Sequence, residues 1–255
     1  METAMEDVVI VGAGLAGLLL ARELQTRGRR PVLLEKSRGP GGRLATKRVE
    51  GVVFDQGAQF FTARTPRFAA EIEAWCEAGV ATPWPDGAPY RYVGRPAMNA
   101  VGKHLSTGLD IRREAKVLAV KRNSGAWDIS VENQPALQAG ELVLTAPVPQ
   151  SLALLAAGGV ALPDALATEL RGLDYHPCLA LMLTLAGPSA VPAGGLAPED
   201  GGPVRWIADN TRKGVSPGTS AAVTVHLAPA FSEENYSRSE AEVLALVSPV
   251  ITPWL

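Results

Sequence analysis

The strongest constraint on this chain is an apolar run that ends in bare backbone. Val8-Val9-Ile10-Val11 leads into Gly12-Ala13-Gly14-Leu15-Ala16-Gly17, a Gly-x-Gly-x-x-Gly turn that opens an amphipathic stretch. A second apolar run, Val32-Leu33-Leu34, closes on an acid, Glu35, 23 positions after Gly12. Strand, tight turn, helix, strand and acid in that order predict a β-α-β unit built around an adenine dinucleotide. Each residue type has a physical reason. Gly12 permits the tight turn, Gly14 lets the backbone approach a diphosphate, and Gly17 lets helix and strand pack closely. A helix starting at Leu15 and Ala16 turns free N–H groups and its positive dipole end toward phosphate. Glu35, at the tip of the second strand, can accept hydrogen bonds from the adenosine ribose.

That acid suits a free ribose 2′-hydroxyl and disfavours NADP, whose 2′-phosphate would meet like charge. It does not separate NAD from FAD, and the next segment bears on that choice. From Lys36 to Arg48 the chain carries Lys36, Arg38, Arg43, Lys47 and Arg48 without one acid. Within it, Gly39-Pro40-Gly41-Gly42-Arg43 sets an arginine beside bare backbone, where its fork can make bidentate contacts to a diphosphate.

The Gly-x-Gly-x-x-Gly turn, Glu35-Lys36 and Gly41-Gly42-Arg43 together resemble the FAD-binding half of the flavin amine oxidase superfamily. Asp55-Gln56-Gly57-Ala58-Gln59-Phe60-Phe61-Thr62-Ala63-Arg64 resembles its renalase-like branch. Further echoes are Tyr92-Val93-Gly94-Arg95-Pro96-Ala97-Met98, Thr145-Ala146-Pro147-Val148-Pro149-Gln150 and Tyr175-His176-Pro177-Cys178-Leu179-Ala180-Leu181-Met182, with Trp206-Ile207-Ala208-Asp209-Asn210 a weaker one. The resemblance spans nearly the whole chain, strongest before residue 65 and softest after residue 190.

It implies FAD as the cofactor. Gly12, Ala13, Gly14, Leu15, Ala16 and Gly17 would face the diphosphate, with Glu35 and Lys36 at the ribose and Gly42, Arg43 and Leu44 in the basic turn. Gly57, Ala58, Gln59 and Phe60 would approach the flavin ring, Val117 would lean on the adenine, and Thr145 would end the strand that completes the nucleotide domain. The implied activity is oxidation of dihydronicotinamide species reduced at the wrong ring position, with hydride passing to flavin N5 and O2 reoxidising the flavin to give hydrogen peroxide. An amine oxidase or desaturase of the same superfamily is the near alternative. The resemblance also implies a closing strand ending in Gly-Asp and a helix that reach the isoalloxazine and ribitol. No Gly-Asp occurs in these 255 residues, and Ser237 to Val247 reads as a helix. The expectation is that this closing segment is missing, so a truncated, catalytically silent dinucleotide-binding protein is the other alternative.

Composition narrows the field further. Net charge −2 provides no global basic field, which argues against a nucleic-acid partner. Two cysteines, Cys76 and Cys178, supply neither a disulfide framework nor a metal quartet, and both read as buried thiols in a reducing compartment. The apolar stretch Val8–Ala21 follows Glu2, Glu6 and Asp7 rather than basic residues, so it does not read as a signal segment, and no membrane-spanning run occurs elsewhere. The expected location is cytoplasmic, the expected partners are a small-molecule substrate and O2, and the sequence leaves the oligomeric state open.

Along the chain, Phe68, Ile72, Trp75 and Gly79 follow helical spacing over Pro66–Gly79. Ala81–Pro96, with Pro83, Pro85, Pro89 and Pro96, reads as a loop holding an edge strand near Tyr90–Val93. A helix over Ala97–Leu105 precedes strands over Leu109–Arg112, Ala115–Lys121 and Trp127–Glu132, with a turn at Asn123-Ser124-Gly125, and a buried strand over Glu141–Thr145 returns to the parallel sheet. Ser151–Leu170 is helical, interrupted at Gly158-Gly159 and Pro163. Leu179–Leu185, Val204–Ile207 and Ala221–Leu227 read as a second sheet, and Ser237-x-x-Glu240 as a capping box. The expected fold is α/β: a Rossmann-type FAD-binding domain with a parallel sheet (1–65 and 97–150), interleaved with an α+β substrate domain whose sheet is mostly antiparallel (66–96 and 151–255).

If the cofactor is FAD, the flavin carries most of the chemistry and the protein positions the hydride donor. The catalytic candidates are Gln59, whose amide can contact N5 or a substrate carbonyl, and Trp206, with Tyr175, as aromatic walls of a substrate pocket. His226 alternates with Val223, Val225 and Leu227 and is the histidine expected to face inward. His176 reads either way and His104 as a surface residue. None has metal-ligand spacing, and no metal site is expected.

Overall fold

Val8 to Val11 are buried because they form the interior of a strand flanked on both sides by parallel neighbours, where neither face meets water. The computed structural model describes residues 5–84, 90–198 and 201–255. In chain order it begins with β1 (Met5–Val11), α1 (Leu15–Thr26), β2 (Pro31–Leu34), β3 (Thr46–Val49), β4 (Val52–Asp55) and α2 (Pro66–Glu77). Then come β5 (Ala81–Pro83), β6 (Tyr92–Gly94), α3 (Asn99–Ser106), β7 (Asp110–Arg112), β8 (Val117–Asn123), β9 (Ala126–Val131) and β10 (Leu137–Leu144). The last elements are α4 (Val148–Ala157), α5 (Asp164–Arg171), β11 (Ala180–Thr184), β12 (Val204–Asp209), β13 (Ala222–Leu227), α6 (Pro229–Asn235) and α7 (Glu240–Ile251).

The chain divides into two compact units. The first comprises residues 1–43 and 102–174, the second 44–101 and 175–255. The sequence reading set its domain limits after residues 65, 96 and 150; the units turn over after Arg43, Val101 and Asp174.

The first unit holds a six-stranded sheet in the order β7-β2-β1-β10-β9-β8. β7, β2, β1 and β10 run parallel, and β10, β9 and β8 continue antiparallel. This is the expected Rossmann-type α/β arrangement, with the strand before Thr145 lying beside β1. Val9, Val11, Val32 and Leu34 pack with Ile129, Val131 and Ala139 into one core, each aliphatic side chain of Val or Leu size contributing about 1.5–3 kcal/mol when fully buried.

The second unit holds the antiparallel sheet β11-β13-β12, the hairpin β3-β4 and the pair β5-β6. Val223, Val225, Ile207, Val243, Val247 and Ile251 form its core. Thr65 caps α2 by accepting from Phe68 N–H at 3.3 Å, and Ile72 and Trp75 are its buried face.

Several expectations need correction. The last helix is capped by Ser239 and Glu242, not by Ser237 and Glu240: Ser239 Oγ accepts from Glu242 N–H, and Glu242 reaches back to Ser239 N–H. Both quartets satisfy the same Ser-x-x-Glu pattern, so the pattern could not choose between them. Cys178 is exposed rather than buried, since it precedes β11 instead of lying inside it. Cys76 is half-buried. The hairpin β3-β4 and helix α6 had no expectation at all. Pro85 and Pro89 of the proline-rich connector lie outside the described residues.

Candidate functional site

In the first unit, the backbone turns at Gly12, whose φ of +104° belongs to the left-handed region that glycine enters without strain. Its N–H donates to Leu34 O at 2.8 Å, which brings the tip of β2 alongside. There Glu35, only 6% exposed, accepts from Ala13 N–H through Oε2 and from Ser37 N–H through Oε1, both at 2.8 Å. Each carboxylate oxygen keeps a second lone pair, so the acid that fixes the corner can still take a ribose hydroxyl.

Gly41 N–H donates to Ala13 O at 2.8 Å, and Gly14 and Gly41 form an isolated bridge. A Cβ on Gly42 would sit 3.2 Å from Gly14 Cα. The glycines after β2 therefore pack on the first turn, which is why Arg43 follows directly beside it. Thr145 Oγ1 lies 3.0 Å from both Val11 O and Gly12 O and can donate to either. A Cβ on Gly17 would overlap Gly12 O and stand 3.1 Å from Thr145 Oγ1, so helix and turn touch there without room for a side chain.

Gly14 differs. A Cβ on it would meet nothing within 4 Å, although it caps α1 with no side-chain hydrogen bond and no acid in the first turn. The first turn of the helix thus carries no acid and no side-chain cap, and it opens onto free space at Gly14, which fits a diphosphate. Leu15 and Ala16 form the first turn, Ala16 exposed. Lys36 and Arg43 are exposed, and Arg43 shows no partner among the described residues. Val117 is 8% exposed and packs in the core beneath the sheet with Val9 and Val32.

The second unit is organised around Asp55. Its carboxylate accepts from Lys213 Nζ at 2.8 Å, Thr46 Oγ1 at 2.7 Å and Met98 N–H at 3.0 Å. Its N–H donates to Asn210 Oδ1 at 3.0 Å, and its carbonyl accepts from Thr224 Oγ1 at 3.2 Å and from Gln59 Nε2. Gln59 Nε2 also donates to Gly57 O at 3.1 Å. Both partners of Nε2 are carbonyls, which fixes the amide: Oε1 points the other way. One residue on, Gln56 O accepts from His226 Nε2 at 2.9 Å. A carbonyl has no proton to give, so the ring carries its proton on Nε2.

Phe60, beyond Gln59, packs on Trp206 with centroids 5.4 Å apart and on Trp84 at 5.8 Å, and the two indoles lie 6.2 Å apart. The Arg91 guanidinium lies over Phe60 at 4.5 Å and over Trp206 at 4.9 Å, and Lys213 Nζ lies 5.3 Å from the Trp84 ring. Gln59 Oε1, Trp84 Nε1 and Trp206 Nε1 are buried without a hydrogen-bond partner among the described residues. Burial pushes Lys213 below the usual lysine range, against the pull of Asp55. Burial likewise pushes His226 below the ordinary histidine value.

Of the catalytic candidates, Trp206 packs on Phe60, the residue after Gln59, and His226 pairs across the β12-β13 ladder with Trp206. Gly57, Ala58 and Phe60 follow Asp55 on the same segment. Tyr175 is 48% exposed. Leu44, 6% exposed, falls in this unit. Sequence reasoning missed Asp55, Lys213, Trp84 and Arg91. Asp55 stood inside a quoted motif and Asp209-Asn210 in a weak echo, but nothing marked Lys213, which follows two polar residues in a turn. Among the described residues no group of three His, Cys, Asp or Glu is placed to hold a metal, and no helix is long and apolar enough to cross a membrane.

Residues 10–72 match the NAD(P)-binding Rossmann-like domain family. The putrescine oxidase of Kocuria rosea is 36% identical over 105 residues, covering 36% of this chain and 21% of that protein. The hydroxyneurosporene desaturase of Rubrivivax gelatinosus is 44% identical over 57 residues, covering 22% and 11%. The sequence matches thus span about a fifth or less of these relatives' own lengths. A solved structure of putrescine oxidase bound to putrescine superposes with a TM-score of 0.74 at 14% identity, over 99% of this chain and 82% of that one. At that identity the likeness establishes the fold.

Proposed function

We propose that the chain is an FAD-dependent oxidoreductase of the flavin amine oxidase superfamily, of the renalase-like kind, and that its substrate is a dihydronicotinamide isomer of NAD(P)H. The observation that carries the cofactor is Gly14, where open space faces a helix start without a side-chain cap, beside a buried acid. Glu35 favours an unphosphorylated ribose, and Gly41-Gly42-Arg43, folded back on the turn, favours the flavin nucleotide that the resemblance implies. When bound, FAD supplies a hydride acceptor that O2 can reoxidise with release of hydrogen peroxide.

What the residues themselves do follows from their placement. Glu35 holds the ribose while keeping the turn closed, and the first turn of α1 binds phosphate oxygens. Gln59 Oε1, fixed by two bonds to its Nε2, presents an acceptor. His226 stays neutral near pH 7 and holds Gln56 in place. No acid–base pair is required for hydride transfer, which suits a chain with 3 histidines. An amine oxidase or desaturase activity is the second reading, favoured by the sequence likeness to putrescine oxidase and hydroxyneurosporene desaturase.

The test is optical. Purified protein supplied with FAD is expected to turn yellow and to bleach under anaerobic conditions with 2- or 6-dihydro-NAD(P). Bleaching by primary amines and not by the dihydronicotinamides would transfer the assignment to the amine oxidases; failure to take up FAD would refute the cofactor.

A further inference from the structure

Arg91 is placed by backbone as well as by its side chain. Its carbonyl accepts from Trp84 N–H at 2.9 Å, which extends the β5-β6 ladder by one step. Its guanidinium lies over two aromatic rings at once, Phe60 and Trp206. A ring face attracts the guanidinium's charge without supplying a lone-pair acceptor for its N–H donors. No carboxylate or carbonyl meets those donors among the described residues, and the side chain is half-buried. A cation held on two rings, with its fork unspent among the described residues, has lost the rotamer entropy that usually weakens an arginine contact.

The surroundings add to this. Lys213 Nζ lies 5.3 Å from the Trp84 ring but its charge is balanced by Asp55 at 2.8 Å, which leaves Arg91 as the cation of the cluster without a carboxylate among the described residues. Two buried indole N–H groups lack acceptors on the same rings. Among the described residues, Arg91 and the two indoles thus leave donors without acceptors, while Gln59 Oε1, on the residue before Phe60, is a buried acceptor without a donor.

We infer that Arg91, seated on Phe60 and Trp206, is an oxyanion receptor of the second unit and takes the carboxylate or phosphate of a ligand that carries a planar ring. Calling that ligand the substrate rests on the functional reading above; the anion selectivity does not. A substrate that is itself a nucleotide brings such a charge with it, whereas a protonated amine would meet Arg91 as a like charge. Arg91 thus sets specificity and stands apart from the chemical step.

Calorimetric titration of the full chain with benzoate, phenyl phosphate, benzamide and benzylamine tests this. At least one anion is expected to bind tenfold or more tightly than benzylamine, and the stronger of the two anions identifies whether carboxylate or phosphate is the matched group. R91M keeps the stem that packs on the rings and removes the charge. It is expected to weaken the preferred anion about tenfold while leaving benzamide unchanged, and R91K to recover only part of the loss, because an ammonium offers no fork. Equal affinity for anions and benzylamine, or an R91M variant that binds the anion like the parent, would overturn the inference. Anion preference in a chain that oxidises no dihydronicotinamide supports the receptor and refutes only the oxidase reading.

Discussion

Lys213 Nζ lies 2.8 Å from Asp55 Oδ2, and both side chains are fully buried. Two charges removed from water hold each other only because further bonds satisfy them: Asp55 also accepts from Thr46 and Met98 N–H. Breaking such a pair from one side leaves a bare buried charge. K213M and D55N are each expected to destabilise the protein by about 3–5 kcal/mol, with the double variant costing clearly less than the sum. Urea unfolding of the three variants decides it. Additive losses would mean that the two groups act independently.

Gly14 and Gly17 sit in one motif and are predicted to fail in opposite ways. A Cβ at Gly14 meets nothing, and the residue's φ of −74° is open to alanine. G14A is therefore expected to keep or slightly raise thermal stability while lowering FAD affinity tenfold or more, because the methyl occupies the phosphate's space. A Cβ at Gly17 collides with Gly12 O. G17A is expected to cost about 1–3 kcal/mol with or without ligand. Thermal melts with and without FAD separate the two, and an FAD-dependent shift retained in G14A would refute the site.

How much of this was readable beforehand depends on whether a signal is local. The first β-α-β unit was legible because turn, helix start and acid lie within two dozen residues, and each residue type has a single steric or electrostatic job. The strands of both sheets were legible from alternation and apolar runs, down to His226 facing the same side as Thr224. The Asp55 centre was not. It joins residues 46, 55, 98 and 213, and a lysine in a turn carries no mark of burial until a distant carboxylate arrives. The aromatic seat of Arg91 was only half legible: Phe60 and Trp206 stood out as flavin-facing and pocket-wall candidates, but Arg91 lies far from Trp206 in sequence and nothing local marked it.

Glu35 spends both carboxylate oxygens on backbone N–H groups, Ala13 and Ser37. Glutamine offers one carbonyl oxygen, so in E35Q one buried N–H faces an amide NH2. A loss of about 1–3 kcal/mol is expected in the absence of any ligand. If E35Q unfolds at the same urea concentration as the parent, the acid is a ligand contact only and the corner is held by other bonds.

His226 supplies a pH dependence whose sign can be worked out. Its ring is neutral with the proton on Nε2, bound to Gln56 O, and protonating Nδ1 would place a charge in a buried site within the field of Lys213. Desolvation lowers its pKa from 6.5 in the folded chain, the Gln56 bond opposes that shift, and Lys213 reinforces it. The unfolded chain therefore binds the proton more readily. This contribution to stability is whole above about pH 6.5 and is lost as pH falls through the lowered folded value. H226Q, which keeps a donor for Gln56 O, is expected to flatten that part of the stability profile. Ring resonances of the three histidines, followed by NMR from pH 8 downward, should show His226 titrating below the ordinary histidine value. A His226 midpoint at or above 6.5 would mean that the ring is solvated or paired with an acid, and that its neutral bond to Gln56 does not hold this segment in place.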